Sequence, residues 1–255
     1  MLRYRKMVSR KLRGTLSEAW LKLRYPAIRT VARQGEQVIS FSLWGKQPKY
    51  LQGALENITL QKKHYPDWIC RFYVSEDVPE SFTAAIRNSG AQIITKPESE
   101  GFKGLYWRFE AAWDPTVSRF IVRDADSRLN AREAAAVSEW VLSCLPFHTM
   151  RDNPSHGIPI LGGLWGAIGG FMPDFQKQLS KWISRIEAGE HYRGQFFFTD
   201  QDFLTAKIWP RVRHCHLAHT SSEKFSGSDR PFTVSLPDNR FIGQQFDEHN
   251  NPILL

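Results

Sequence analysis

Apolar residues recur in short runs along the body of the chain, separated by segments in which they repeat at helical spacing. The runs are typical of buried strands, and a period of about 3.6 residues is typical of helices that pack on a sheet. We predict strands at 38–43, 68–74, 91–95 and 120–122, and helices at 50–63, 79–89, 107–113 and 131–143. This alternation indicates an α/β domain whose parallel sheet is covered by helices on both faces.

The pattern changes after Pro146. Residues 147–160 are polar with two prolines, and residues 161–170 include five glycines. Glycines at this density let the backbone approach a ligand closely, although a tight turn between strands would have the same composition. Beyond this segment we predict helices over 174–187 and from 199, an alternating strand over 212–219, and an irregular tail after 220. We therefore predict one domain over residues 35–255, with residues 1–34 as a separate arm.

Charge is distributed unevenly between the arm and the domain. Residues 1–34 carry ten Lys and Arg and one Glu, whereas the remainder carries 24 basic and 25 acidic residues. A nearly neutral domain argues against nucleic acid as a partner, because a nucleic-acid-binding core carries its basic patch on the folded domain. The arm also has apolar residues at helical spacing. It can lie on an anionic membrane surface, pack on the domain as an appended helix, or serve as an organellar transit peptide.

The three cysteines and the hydropathy profile bear on location. Cys70, Cys144 and Cys215 are odd in number and far apart, which is typical of unpaired thiols in a reducing compartment. No apolar run approaches the ~20 residues that a helix needs to span a bilayer. We therefore expect a cytoplasmic protein, in peripheral contact with a membrane if the arm binds lipid.

The candidate chemistry lies in the stretch RFIVRDADSRL. Asp124 and Asp126 directly follow the apolar run 120–122 and are flanked by Arg123 and Arg128. Carboxylates at i and i+2 lie on one side of an extended backbone, where they repel each other unless a cation joins them. Mg²⁺ or Mn²⁺ prefers such oxygens and often shares them with substrate phosphates, which guanidinium groups also bind. Asp-x-Asp alone is more often a solvated turn, but its place after a strand favours a metal–phosphate site.

The order of these features resembles the GT-A-fold glycosyltransferases, especially glycogenin-like and galactosyltransferase enzymes with an Asp-Gln-Asp motif, and small bacterial and viral sugar transferases. The shared features are a first strand near residue 40, the Asp-x-Asp, the glycine-rich segment, Asp200-Gln201-Asp202 and a C-terminal histidine. The resemblance covers roughly residues 38–250. It implies a single Rossmann-like α/β domain with a mixed central sheet flanked by helices. It also implies transfer of a sugar from a nucleotide diphosphate donor, UDP by default, to an acceptor hydroxyl, with Mn²⁺ or Mg²⁺ as cofactor.

The resemblance also implies roles for individual residues. Asp124, Asp126 and His219 match metal-binding positions, with His214 and His216 as rivals for the histidine. The residues expected to bind the donor are Ser42, Trp44, Arg108, Arg123, Gly162, Gly163, Gln201 and Lys224. The residues expected on the catalytic side are Asp152, Asp200 and Asp202. Any of these three carboxylates could serve as the base of an inverting reaction, whereas the Asp-Gln-Asp resemblance favours a retaining one.

The chain departs from the family pattern at two places. The family's Asn-Ser-Gly is Leu161-Gly162-Gly163 here, and Lys224 follows His219 without the intervening glycine. Three other functions therefore stay open. A metal-dependent nucleotidyl or phosphoryl transferase needs the same groups, but no glycine-rich phosphate-loop motif is present. A glycoside hydrolase with paired carboxylates would work without metal. The third is a non-catalytic carbohydrate-binding relative.

The acceptor is the least constrained part of the prediction. For a transferase we expect a glycan, lipid-linked or protein acceptor, as in surface glycan or polysaccharide synthesis. The specificity for sugar, base and acceptor depends on the shape of the pocket, which the sequence does not give.

Overall fold

A computed structural model describes residues 34–97, 102–190, 199–221, 224–226, 229–237 and 240–253. Apart from Gln34, the predicted arm lies outside the described residues, and so do its predicted helix and membrane contact. Among the helices that the structure describes, none is both long enough and apolar enough to cross a bilayer. The three cysteines are all described and all unpaired, as predicted.

The described part of the chain is built on an eight-stranded mixed sheet. Its strands are β1 (Glu36–Leu43), β2 (Ile69–Ser75), β3 (Gln92–Lys96), β4 (Val117–Val122), β5 (Phe147–Arg151), β6 (Trp165–Ile168), β7 (His216–Thr220) and β8 (Asp229–Arg230). Their spatial order is β3-β2-β1-β4-β6-β5-β7-β8. The strand β6 is antiparallel to β4 and β5, and the other paired strands are parallel.

Helices lie between most of these strands. They are α1 (Pro48–His64), α2 (Glu80–Asn88), α3 (Gly104–Trp107), α4 (Ala131–Ser143), α5 (Phe175–Glu187), α6 (Thr199–Phe203) and α7 (Trp209–Val212). A 3₁₀ segment, Arg108–Ala112, continues α3, and a π-helical turn, Leu204–Ile208, joins α6 to α7. A mixed sheet flanked by helices confirms the predicted fold class.

The central strands are buried on both faces, which explains why they appear in the sequence as continuous apolar runs. On β4, Phe120 and Val122 belong to one apolar cluster, together with Phe109 and Trp165. Ile121, between them, belongs to the second cluster on the opposite face. This alternation buries the whole strand, which ends at Val122, one residue before Arg123.

Three strands were missed. The two-residue β8 lies in the tail that was predicted to be irregular, and β5 and β6 have sequences without a strand pattern. The β5 segment contains His148, Thr149 and Arg151, yet all five of its residues are buried. The β6 strand lies inside the glycine-rich segment, where a Cβ at Gly166 would come within 2.6 Å of the Phe120 carbonyl oxygen. The predicted strand over 212–219 begins only at His216, because the chain is still helical up to Val212.

Candidate functional site

The site lies at the edge of the sheet formed by the carboxyl ends of β1 and β4, two central strands. These strands are parallel neighbours, so the segments that follow them, Trp44-Gly45 and Arg123–Leu129, leave the sheet at the same edge. Ligands of open α/β sheets bind outside the carboxyl ends of the strands. Three acidic side chains, Asp124, Asp126 and Asp200, interact electrostatically here.

Arg108 joins two of these carboxylates. Its Nη1 pairs with Oδ1 of Asp124, and its Nη2 donates to Oδ2 of Asp200 at 2.9 Å. Burial lowers the pKa of the Arg108 guanidinium, but the two carboxylates outweigh that effect and the pKa is raised. The buried Nε of Arg108 has no hydrogen-bond partner among the described residues. A charged guanidinium with a donor to spare is suited to an anionic ligand.

Two serines of β1 hold Arg108 in place. The Ser40 hydroxyl donates to the Arg108 carbonyl oxygen at 2.6 Å, and the Arg108 N–H donates to the Ser42 hydroxyl oxygen at 2.9 Å. Serines at i and i+2 of a strand lie on the same face, so both reach the 3₁₀ segment. Ser42, expected to contact the donor, therefore contacts Arg108 in this structure.

Asp126 is paired with a lysine that sequence reasoning missed. The Lys49 Nζ lies 3.0 Å from Oδ2 of Asp126 and 4.5 Å from the ring centroid of Tyr50. Asp126 is 2% exposed. Burial raises its pKa, Asp124 raises it further, and Lys49 opposes both effects. The direction of this shift agrees with the repulsion that we expected between the two carboxylates.

The glycine-rich segment packs directly on the acidic side chains. A Cβ at Gly163 would lie 2.0 Å from Oδ2 of Asp124, and a Cβ at Gly162 would lie 2.3 Å from Oδ2 of Asp200. Both distances are far below a van der Waals contact, so a side chain at either position would require the neighbouring carboxylate to move. The segment thus contributes to the site by its lack of side chains, and it contains β6 as well.

Asn57 and the C-terminal segment hold the Asp-x-Asp loop. The Asn57 Nδ2 donates to the carbonyl oxygens of Ala125 and Ser127 at 3.3 and 2.9 Å, and its Oδ1 accepts from the Leu129 N–H at 3.0 Å. The Phe246 N–H donates to the Asp126 carbonyl oxygen at 2.8 Å. The sequence analysis predicted neither the role of Asn57 nor that of Phe246. The available signal for Asn57 was its position, as an asparagine on the apolar face of α1.

Asp200 is the predicted catalytic carboxylate that the fold brings into the cluster. Burial raises its pKa, with Asp124 adding to the shift and Arg108 opposing it. The Gln201 N–H donates to its Oδ1 at 2.8 Å. The neighbouring Asp202 is also buried.

Asp152 has a different environment. Arg132 binds both of its oxygens, at 2.8 and 2.9 Å, and the Ser221 hydroxyl and the Ile242 N–H also donate to it. These contacts tie α4 to the C-terminal segment and leave neither oxygen free of a partner. They favour a structural role for Asp152 over the catalytic role that we expected.

Arg123, which was expected to bind the nucleotide-sugar donor, also has a structural environment. Its guanidinium is 1% exposed and pairs with Glu133 at 3.3 Å, and Tyr65 donates to the same carboxylate at 2.9 Å. A side chain enclosed in this way does not reach the carboxylates of Asp124 and Asp126, so the structure does not support the expected contact with the donor. Of the two arginines expected to bind the donor, Arg108 is the one that pairs with the cluster.

His219 does not join the two aspartates. Its Nδ1 lies 2.9 Å from Nε2 of His148, and its Nε2 lies 3.1 Å from Oε2 of Glu139. Within the described ranges, no three or more His, Cys, Asp or Glu side chains converge in a way that could hold a metal. The structure therefore does not assemble the expected metal shell of Asp124, Asp126 and His219. Of its rivals, His216 is buried beside Ser226, at 3.4 Å, and His214 is exposed.

The two remaining residues predicted to bind the donor differ in position. Trp44 follows β1 and lies edge-on to Trp107, with ring centroids 6.4 Å apart. Gly104 makes room for it, because a Cβ there would lie 2.7 Å from the indole ring. Both indoles are half-buried, and Trp107 directly precedes Arg108 in the sequence; exposed indole surface suits a ring-shaped ligand. Lys224 is exposed in the loop before β8.

The cluster has the donor set that a hard divalent cation prefers. Asp124 is 44% exposed at its side chain, Asp126 lies beside it, and both offer carboxylate oxygens. Mg²⁺ is commonly bound by one or two carboxylates, with substrate phosphates and water completing its shell. Two aspartates without a third protein ligand fit this arrangement.

No protein-family model matches the sequence, and no curated protein matches it. Among solved structures, the chain is similar to the apo form of the glycosyltransferase GlyE from Streptococcus pneumoniae TIGR4, with 14% identity over 75% of this chain and a TM-score of 0.47. It is also similar to the mannosyltransferase PcManGT from Pyrobaculum calidifontis in complex with GDP-Man and Mn²⁺, with 14% identity over 93% of this chain and 66% of that one, and a TM-score of 0.44.

A third similar structure is a 4-diphosphocytidyl-2C-methyl-D-erythritol synthase from Anaerococcus prevotii DSM 20548, with 9% identity over 81% of this chain and 94% of that one, and a TM-score of 0.40. The chain spans about half the length of GlyE, 46%. At TM-scores below 0.5, these likenesses carry no argument about function. The fold class rests on the strand order described above.

Proposed function

We propose that this chain is a metal-dependent glycosyltransferase that moves a sugar from a nucleotide diphosphate sugar to an acceptor hydroxyl. One observation carries the proposal: Arg108 bridges Asp124 and Asp200 beside Asp126, at the edge where β1 and β4 end. This places cationic and anionic groups together where an α/β sheet binds its ligand. The resemblance of the motif order to GT-A-fold enzymes gives the reaction class.

The main barrier to such a transfer is the negative charge that develops on the leaving diphosphate. A cation held by Asp124 and Asp126 would supply Lewis-acid stabilisation of that charge. Arg108 adds a permanent positive charge, and its unpartnered Nε is a donor that can turn to a phosphate oxygen. Gly162 and Gly163 keep the backbone close to this point without filling it.

The residues around the cluster divide the remaining tasks. Trp44 and Trp107 offer ring faces or edges to the base or the sugar. Asp200, held by Arg108 and the Gln201 N–H, is our candidate for contact with the reacting sugar. Asp202 follows it on the same helix. UDP as the base, Mn²⁺ as the preferred cation and a glycan, lipid-linked or protein acceptor are proposed from the resemblance.

A ligand-binding screen tests the proposal. Thermal unfolding is followed with a panel of nucleotide sugars, nucleoside triphosphates and free sugars, each with Mn²⁺ and with EDTA. Binding to the native state raises the unfolding temperature, so the proposal expects stabilisation that needs both a nucleotide sugar and the cation. Stabilisation by a nucleoside triphosphate instead would favour a nucleotidyl transferase, and stabilisation by sugars in EDTA would favour a hydrolase or a binding protein.

An Asp126→Asn variant supplies the matched test of the site. The change keeps the size of the side chain and removes its charge, so the variant should fold while losing the Mn²⁺-dependent stabilisation and transfer to the acceptor. Wild-type transfer by Asp126→Asn in the presence of Mn²⁺ would contradict the metal assignment.

The role of the arm at a membrane surface stays a proposal, tested by vesicle co-sedimentation of the chain with and without residues 1–34.

A further inference from the structure

Among the described residues, Arg108 and Lys49 form ion pairs with the carboxylates of the cluster, and they differ in how readily they can leave. Arg108 is almost fully buried and holds two carboxylates at once. Lys49 holds a single carboxylate oxygen, and its side chain is 24% exposed at the start of α1. A long, flexible ammonium at the solvent boundary can leave its partner far more readily than a buried, doubly paired guanidinium.

Resting on the proposed function, we infer that Lys49 competes with the divalent cation for Asp126 and so sets how tightly the site binds that cation. The Lys49 Nζ lies 3.0 Å from Oδ2 of Asp126. A cation bound at the same carboxylate would lie within a few ångströms of the ammonium, and like charges at that distance repel. Binding of the cation therefore requires the ammonium to move away from Asp126.

This competition gives Lys49 a role in the metal-free protein. Asp126 is buried next to Asp124, and a buried carboxylate without a counter-ion is costly. Lys49 compensates that charge while no cation is bound. The ring of Tyr50, 4.5 Å from Nζ, gives the ammonium a second attractive contact close by. Lys49 thus stabilises the loop without metal and weakens the affinity for metal.

The test measures Mn²⁺ binding to the full chain by the electron paramagnetic resonance signal of the free ion. Lys49→Met, which keeps the aliphatic stem and removes the charge, should bind Mn²⁺ about tenfold or more tightly than the wild type. Lys49→Arg, which keeps the charge, should bind like the wild type. The matched control is Lys46→Met, which makes the same change in net charge at an exposed position three residues earlier.

The results that would overturn the inference are Lys49→Met binding Mn²⁺ no more tightly than Lys46→Met, and all four proteins failing to bind it. Circular dichroism establishes that each variant is folded, and Lys49→Gln replaces Lys49→Met if the latter is not. As a second readout, Lys49→Met in EDTA should unfold at a lower temperature than the wild type, and Mn²⁺ should remove the difference. No loss of stability in EDTA would contradict the counter-ion role.

These readouts separate the inference from the proposed function, because neither of them depends on sugar transfer. Tighter Mn²⁺ binding by Lys49→Met, together with no response to any nucleotide sugar, would keep the inference and reject the glycosyltransferase. Transfer from a nucleotide sugar together with unchanged Mn²⁺ affinity in Lys49→Met would support the glycosyltransferase and reject the inference about Lys49.

Discussion

Gly163 shows how one missing side chain can shape a site. The Asp124 carboxylate occupies the space that a Cβ at position 163 would need, with 2.0 Å between them. The same carboxylate pairs with Arg108, so a shift of Asp124 also disturbs the guanidinium and, through it, Asp200. The three groups therefore depend on one another for their positions, and a small steric change at their edge should propagate to all of them.

Gly163→Ala should lower kcat/KM for sugar transfer about a hundredfold, because displacing a catalytic group by about 1 Å can cost that much. The measurement is initial-rate kinetics with the donor found in the binding screen. Gly157→Ala is the matched control, since a Cβ there would meet nothing within 4 Å. Equal activities for the two variants would show that Asp124 need not hold its present position.

Arg108→Lys should also impair the reaction strongly. A lysine keeps the charge but cannot make two directed contacts, so Asp124 and Asp200 would no longer share one partner. Loss of one such electrostatic contact typically raises the barrier by about 3–4 kcal/mol, or roughly a 10²–10³-fold drop in kcat. The control is Arg87→Lys, which affects an exposed ion pair with Glu80. Arg108→Lys with near-wild-type kcat would exclude the bridging role.

At the scale of elements, the Asp-x-Asp loop is held from two directions. Helix α1 supplies Asn57 from one side, with three hydrogen bonds to the loop backbone. The C-terminal segment supplies the Phe246 N–H and the Asn250 side chain, which accepts from Arg128 Nε at 2.7 Å. A loop without regular structure is thus fixed by partners that are far away in sequence, and its carboxylates are positioned before any ligand binds.

Asn57→Ala should destabilise the protein by about 3 kcal/mol, because the loop would keep buried backbone groups without partners. Urea unfolding followed by circular dichroism gives the value. Thr59→Ala, at an exposed position of the same helix, should change stability by less than about 0.5 kcal/mol. If both variants unfolded at the same urea concentration, the loop would not depend on Asn57.

At the scale of the whole molecule, the domain buries many polar and charged side chains besides the site. They include Arg151 paired with Asp229, Arg71 paired with Glu36 and Asp114, and the histidines 148, 156, 216 and 219. Burial lowers the pKa of His156 and of His216 to about 4 in each case. These histidines are neutral in the native state at pH 5, whereas they are protonated in the unfolded chain.

The sign of the pH effect follows from these pKa values. The native pKa of such a histidine lies below its unfolded value of about 6.5. The free energy of unfolding is therefore unaffected above a pH of about 6.5 and decreases as the pH falls toward 4, because the unfolded chain takes up the proton first. In the wild type, the Asp152 N–H donates to His156 Nδ1 at 2.9 Å. In His156→Asn the amide oxygen can still accept this hydrogen bond, but the side chain cannot be protonated. Relative to this variant, the wild type should lose about 2 kcal/mol of unfolding free energy between pH 7.5 and pH 5.

Urea unfolding at the two pH values measures this difference. The exposed His249, replaced by asparagine, serves as the control and should follow the wild type at both values. If His156→Asn and the wild type lost equal stability on acidification, His156 would not be the buried neutral group described here.

The sequence alone determined the elements whose pattern is set by local burial. The strands β1, β2 and β4 and the helices α1, α2, α4 and α5 lie where apolar periodicity placed them, because each is buried along one face or on both. The order of residues also showed that Asp124 and Asp126 lie close together and directly follow a strand. The resemblance to GT-A-fold enzymes suggested Arg108 and Asp200 as site residues, the tertiary structure pairs them with each other, and their roles stay proposals.

Only the tertiary structure decided which side chains meet. The strands β5 and β6 escaped detection because their polar and glycine residues are accommodated by neighbours distant in sequence, such as β4 beside Gly166. Lys49 and Asn57 reach the loop from α1, while Arg123 and His219 turn to partners inside the fold. Periodicity reports the environment of one segment at a time, whereas contacts between segments depend on how the sheet orders them.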